Sequence, residues 1–590
     1  MNRIRLGLIA TFLVTFGLSL RAGGQVRTPR DELLRLVPAD VALCLTVDDL
    51  RGLGGKLSQS HWVQALKDSP LGQLLGDAPQ WLQLDDLKKQ LKARLHVSWE
   101  QLRDDVLGDA VVFAYRPGPA AHPEQDAWLL LVHAREPAVL AKLIDRLNDE
   151  RTKAGELKAV KDRAYKGYKY VQCETAAGDQ FFMLDGPLLA VSGQEAMLRQ
   201  MLDCRANPLF APHPTLRQRG EDGDKALASV WINPRGFDEA LKAHATQLAD
   251  KAEGKSLGVF LNYWKALDGI SVSLRVDKNP ELVIALSANA NLLPASAKKV
   301  VQDAAFQSDC WKRFPADSIV AVAGRSDFKA LTETLDDLSP NDGEEGFTAL
   351  LQKSLGLPIH KELLQSLAPS LGPDWGYCVM PAPDKTAFPH VFFAARVRMA
   401  AIRPAASDAL LAAVRTTVAA AAAEYNRKHK DQVELHVLKT QYGDVHYLVN
   451  DRRYPKGFQP AFTHRDGYLV AASSPQALEH FKILPADMIA KAPSKIPPIK
   501  TATPKKGEAL PATVTPLARI SFQGLAALVK DRHDAVLDFM STQRQLDGPA
   551  AEARFQLLAT TLNLFDRANV VQQTQGERVK WVIRLQMAGE

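Results

Sequence analysis

The sequence predicts an α+β protein of two tandem, similar lobes, each a mainly antiparallel sheet with helices packed on one face. Three observations predict it. Landmarks recur in the same order along the 590 residues. Val37-Pro38-Ala39-Asp40 and the apolar run Val41 to Val47 return as Phe314-Pro315-Ala316-Asp317 and Ser318 to Ala323, and Leu107-Gly108 with Pro117 returns as Leu371-Gly372 with Pro381. Asp185-Gly186, running on to Ser192, returns as Asp466-Gly467, running on to Ser473; each is followed by an alanine, Ala196 or Ala477, that opens a helical pattern. Ala228 and Leu267-Asp268 return as Ala518 and Phe565-Asp566. This shared order argues for a duplication of about 265 residues. The second observation is the pair of Asp-Gly dipeptides between apolar runs: a type I′ hairpin turn needs positive φ at both central residues, which Asp and Gly tolerate best. The third is that hairpins dominate the connections, which gives antiparallel sheets. The predicted boundaries are a signal peptide at 1–24, a first lobe at 36–293 and a second at 314–590, with a Pro/Lys-rich loop at 484–517.

Taken in order, the elements begin with export. Arg3 and Arg5 precede the apolar stretch Leu6 to Leu20, and Ala22-Gly23-Gly24 offers small residues for cleavage before Gln25. The stretch falls short of the roughly 20 apolar residues a membrane span needs. The expected location is therefore outside the cytoplasm, periplasmic or envelope-associated, with no transmembrane segment after the signal peptide. Val41 to Val47 reads as a strand, and Lys56 to Val106 as helical, broken at Pro70 and Pro79. Val111 to Tyr115 and Trp128 to His133 are strands joined by a Pro/Gly-rich loop. Pro137 starts a helix that carries Leu140, Leu143, Ile144 and Leu147 on one face. Its counterpart follows Pro404 and runs to about Lys428. Each Asp-Gly hairpin feeds a short helix, Met197 to Leu202 or Leu478 to Phe481. Each lobe then closes with strand, helix and hairpin, the first through Ala228 to Ile232, Phe237 to His244, Ile270 to Val276 and Leu282 to Ser287.

Leu484 to Leu517 breaks the symmetry. It carries seven prolines and Lys491, Lys495, Lys500, Lys505 and Lys506, so it is expected to be an exposed, partly extended loop, either a solvated linker or a contact for an anionic envelope polymer.

Composition excludes some classes. The chain is 46% hydrophobic and 24% charged, enough apolar residue for a core in each lobe. Removing Arg3, Arg5 and Arg21 from the formal charge of +6 leaves +3, and the basic residues are interleaved with acids, so nucleic acid is not an expected partner. Five cysteines, without a Cys-x-x-Cys pair, do not make a disulfide framework; Cys44, Cys173 and Cys378 lie in strand-like runs as expected buried thiols, and a Cys204–Cys310 bridge stays open.

Motif chemistry is sparse. The chain has no His-Glu-x-x-His helix, no Gly-x-Ser-x-Gly elbow and no Gly-Lys-Ser/Thr phosphate loop. Gly52-Leu53-Gly54-Gly55-Lys56 lacks that loop's spacing and reads as a turn. The acidic runs Glu221-Asp222-Gly223-Asp224 and Asp342-Gly343-Glu344-Glu345 read as solvated loops. No catalytic residue and no cofactor is assigned. The metal candidates are His436, His446 and His464, on strand-like runs that neighbour one another in one sheet; three converging imidazoles suit zinc or copper, while solvent-facing histidines on polar strand faces give the same pattern.

Leu36-Val37-Pro38-Ala39-Asp40 plus its strand, then Asp48-Asp49-Leu50 leading into a helix, resembles the start of uncharacterised exported bacterial proteins grouped only as a domain of unknown function. The resemblance covers chiefly the first forty residues after the signal peptide and implies an exported α+β protein with no catalytic residues to carry over. The functional expectation is a non-catalytic envelope or periplasmic protein with a binding or structural role, its partner an envelope component or another protein. The alternative is an extracytoplasmic, hydrolase-like enzyme with a dispersed site.

Overall fold

The structure, a computed structural model, describes residues 28–52, 91–176, 178–207, 226–248, 252–276, 280–338, 370–398, 404–484, 513–544 and 547–588, with a few isolated positions between 63 and 89. The signal peptide, the Gly52-to-Lys56 run beyond Gly52, both acidic runs and residues 485–512 lie outside the described residues. The protein is α+β, with twenty strands among the described residues and antiparallel pairing throughout the described registers. Two compact units divide the chain. The first holds 1–254, 267–286 and 584–590, the second 255–266 and 287–583.

In the first unit, β1 (Leu43–Asp48) pairs with β2 (Ala110–Arg116), and β2 with β3 (Ala127–His133). The strands β4 (Leu157–Tyr165), β5 (Tyr168–Thr175), β6 (Gly178–Asp185) and β7 (Leu188–Ser192) follow as a meander. Its last strand, β7, returns to lie beside β3. β8 (Ala226–Ile232) joins the free side of β1, and β9 (Leu267–Val276) joins β8. The order is β9-β8-β1-β2-β3-β7-β6-β5-β4, and β10 (Pro280–Asn289) pairs with β9.

The helices do not keep to one face, which corrects the expectation above. On one face Cys44, Ala114, Leu129 and Leu131 meet Leu33 and Leu34 of α1 (Pro29–Arg35). The same core takes in Met197, Leu198, Met201 and Leu202 of α3 (Glu195–Ala206). On the other, Leu45, Val47, Val111, Val132 and Leu189 meet Leu140 and Leu143 of α2 (Pro137–Lys153). Successive strand residues point to opposite faces, so the near-continuous apolar runs of β1 and β3 need cover on both. The four buried residues of α3 contribute roughly 1.5–3 kcal/mol each.

The second unit contains β11 (Val320–Arg325), β12 (Leu371–Met380) and β13 (His390–Val397). Its meander is β14 (Glu434–Thr440), β15 (Gly443–Val449), β16 (Ala461–Arg465) and β17 (Tyr468–Ala472). β18 (Thr513–Ser521) and β19 (Phe565–Gln575) complete it. The pairings give the order β19-β18-β11-β12-β13-β17-β16-β15-β14. β20 (Arg578–Met587) pairs with β19. One face packs Phe314, Ala321, Cys378 and Phe392 with Cys310 of α4 (Cys310–Arg313) and Leu478 of α7 (Pro475–Glu479). The other packs Ala395 and Val397 with Phe328 of α5 (Phe328–Leu338) and Leu410 of α6 (Pro404–Lys428). The helix expected after Pro404 runs to Lys428.

Two registers depart from the sequence reading. Arg465 pairs with Tyr468, so Asp466 and Gly467 are the central residues of their turn, at φ 52° and 79°, as the I′ pattern requires. In the first unit Asp185 pairs with Leu188, so the central residues are Gly186, at φ 58°, and Pro187. Asp185 is the last strand residue. The physical reason is Pro187: it has no N–H for the ladder, and a turn with Gly first and Pro second places it where none is needed. Likewise Ala228 pairs with Val47 and Ala518 with Val322, two steps apart in strand register.

The loop expected at 484–517 does not extend over Thr513 to Leu517, which belong to β18. Pro516 is tolerated there at a break in the β18–β19 register, between Pro516 and Ala518. All five cysteines are free, so Cys204 and Cys310 form no bridge; Cys44, Cys173 and Cys378 are buried as expected.

Candidate functional site

The outermost strands are the least covered parts of each sheet. β4 and β14 end their nine-strand orders, and among the described residues each pairs on one side only, with β5 and with β15. An edge of this kind presents a row of backbone donors and acceptors to another chain. β4 is guarded by charge. Lys158, Lys161 and Arg163 lie along it; Lys161 pairs with Glu174, and Arg163 donates to Gln172 Oε1 at 3.0 and 2.8 Å. β14 carries fewer charges, Glu434 and Lys439, and where β4 exposes one large apolar side chain, Val160, β14 exposes two in a row. Val437 is 50% exposed, Leu438 45%, and Tyr442, in the turn that follows, 51%. Because Val437 and Leu438 are adjacent, one apolar side chain stands in water on each face of that strand.

The three candidate histidines lie on this meander and are divided by its pleat. His446 pairs with Val437 on one side and Phe462 on the other, and its ring stacks on Phe462 at 5.2 Å. His464 is two residues beyond Phe462 and shares that face. His436 pairs with Tyr447, which puts it on the opposite face, where Nε2 contacts Glu434 Oε2 at 3.0 Å. Burial pushes the His446 and His464 imidazoles below their ordinary range, and His446 Nδ1 and His464 Nε2 are buried without a hydrogen bond. Among the described residues no three His, Cys, Asp or Glu side chains are arranged to hold a metal ion.

A polar group that sequence reasoning missed lies at the ends of β1, β2 and β3. Burial pushes the Asp48 carboxyl up to about 6, opposed by the Arg30 guanidinium, with Nη1 4.0 Å away, and reinforced by Asp49, Asp31 and Asp109. Asp109 Oδ2 lies 3.1 Å from His133 Nδ1, and its other oxygen 4.0 Å from Arg135. Asp49 takes φ 48° and accepts from the Gly52 N–H at 3.0 Å. A carboxyl that titrates near 6 can give or take a proton near neutral pH. The available sequence signal was the adjacent acids, Asp48-Asp49, at a strand end.

In the second unit the buried polar groups hold the core. Tyr468 donates to Asp374, whose carboxyl is raised by burial. Arg313 pairs with Asp466 and lies over the Tyr468 ring at 4.7 Å and the Phe481 ring at 5.2 Å.

No family model, curated protein or solved structure matches the chain. Among the described residues no helix is long and apolar enough to cross a membrane.

Proposed function

We propose that the protein is an exported, non-catalytic binding protein of the periplasm or cell envelope, built from two tandem copies of one α+β unit, and that the edge at β14 takes an extended segment of a partner protein. The observation that carries the binding role is the outer strand with apolar side chains exposed on both faces: added strands gain backbone hydrogen bonds along such an edge, and specificity comes from the side chains.

The duplication is supported by the shared strand order and by matching atoms at the start of each sheet. In the first unit the Ala42 N–H donates to Tyr115 O at 2.8 Å, and the Asn233 N–H to Ala42 O at 2.7 Å. In the second, the Ile319 N–H donates to Val379 O at 2.8 Å, and the Ser521 N–H to Ile319 O at 2.7 Å. Asn233 and Ser521 each cap a helix N-terminus, and three residues after each comes a glycine, Gly236 or Gly524, packed against Ala42 or Ile319. Asp268 and Asp566 each precede by two residues the strand partner of an isoleucine, Ile232 or Ile520.

The test is a photo-crosslinking residue at Val437 in the native host. A discrete protein adduct is expected, and Leu438→Lys should abolish it while leaving the fold intact. A well-folded protein that yields no adduct at Val437 or its strand neighbours would sink the reading.

The hydrolase-like alternative rests on Asp48, Asp109 and His133. It requires a turnover that Asp48→Asn removes. Hydrolysis of ester, glycoside or peptide probes by the wild type and not by that variant would favour it.

A further inference from the structure

His390 and His480 are 90 residues apart in the chain and meet in the second unit. His390 opens β13, is 7% exposed, and sits directly opposite Met380 of β12, which is 5% exposed. Paired residues of an antiparallel ladder point to the same face. That face is the one whose core contains Met380, Phe392, Leu478 and Phe481. α7 lies on it, and His480 is the residue that caps its C-terminus. The two rings stand 5.0 Å apart at 45°, with Nδ1 of His390 2.9 Å from Nε2 of His480.

As a hydrogen bond this contact needs a proton on one nitrogen and a lone pair on the other. The contact turns one ring nitrogen of each histidine toward the other. Two imidazole nitrogens bound about 2.0 Å from one tetrahedral ion lie about 3.3 Å apart, so little movement would admit a metal. Thioether sulfur favours copper(I) over zinc. We propose that His390, His480 and Met380 form a binding site for a soft monovalent ion of the copper(I) class. Starting from two neutral imidazoles, each ring keeps one N–H: one ring changes tautomer, the metal replaces the shared hydrogen bond, and no net proton is released.

Silver(I), a redox-inert ion of the same class, is the probe. The background is Cys204→Ser, because Cys204 is the partly exposed thiol while the other four cysteines are buried. Calorimetry and native mass spectrometry should find one ion per chain. His390→Gln and His480→Gln should each weaken binding about a hundredfold, and Met380→Leu about tenfold. His480 is half-buried at a helix end, so His480→Gln is the deciding variant if His390→Gln does not fold, as judged by circular dichroism. Absence of a bound ion in the Cys204→Ser protein would overturn the site. So would unchanged affinity in folded His480→Gln or in Met380→Leu.

Discussion

Asp48 shows how a single residue sets a pH dependence. Its folded carboxyl titrates at about 6, above the ordinary 3.8, so the native state binds a proton that the unfolded state has already lost between those values. Stabilisation by that proton is present in full below about pH 4 and is lost as pH rises through about 6. Above that, ionised Asp48 costs on the order of 3 kcal/mol. Asp48→Asn should therefore stabilise the first unit by about 1–2 kcal/mol at pH 8, part of the gain being lost with the Arg30 contact, and change little at pH 4. Urea unfolding at the two pH values checks this, and equal effects at both would refute the assignment. Tyr468→Phe should cost about 1–3 kcal/mol, because Asp374 would lose the hydroxyl that donates to it inside the core. Neither residue was given a chemical role from the sequence. Asp48 is one acid among many until the ends of β2 and β3 bring Asp109 beside it, and Tyr468 meets Asp374 only when β17 and β12 flank β13.

At the scale of elements, the glycines after β8 and β18 give a graded test. A Cβ on Gly236 would lie 2.3 Å from Ala42 Cβ, whereas one on Gly524 would lie no nearer than 3.2 Å to its closest neighbour, Ile319 Cγ1. Gly236→Ala should destabilise by about 1–3 kcal/mol as an overpacked contact, and Gly524→Ala by clearly less. Thermal unfolding of the two variants compares them directly. On the helix side, Leu198→Ala should cost about 2–5 kcal/mol, because α3 is held chiefly by its buried face. Most elements were legible in the sequence. The Pro137 and Pro404 helices and the β2–β3 pair follow from Pro at the first turn and from apolar runs bounded by turn residues. Helix cover on both faces was not drawn from the same runs, although strands apolar at consecutive positions require it.

At the scale of the whole molecule, export and the Pro/Lys-rich run each have a direct test. N-terminal sequencing of protein from the native envelope should begin near Gln25, and intact Met1 in a soluble cytoplasmic fraction would refute export. Trypsin should cut first between Lys491 and Lys506, a proline- and lysine-rich run with little to bury, and early cleavage within β1–β3 or β11–β13 would contradict that.

The sequence by itself determined the α+β class and the order of the hairpins. These depend on local causes: alternation, proline and glycine geometry, and apolar runs. Tertiary structure decided the turn register at Asp185, the division of His436 from His446 and His464, and the meeting of His390 with His480. Each depends on pairing partners far away in the chain. A one-residue change of register sends a side chain to the other face of a sheet, and nothing local to the residue records which face that is.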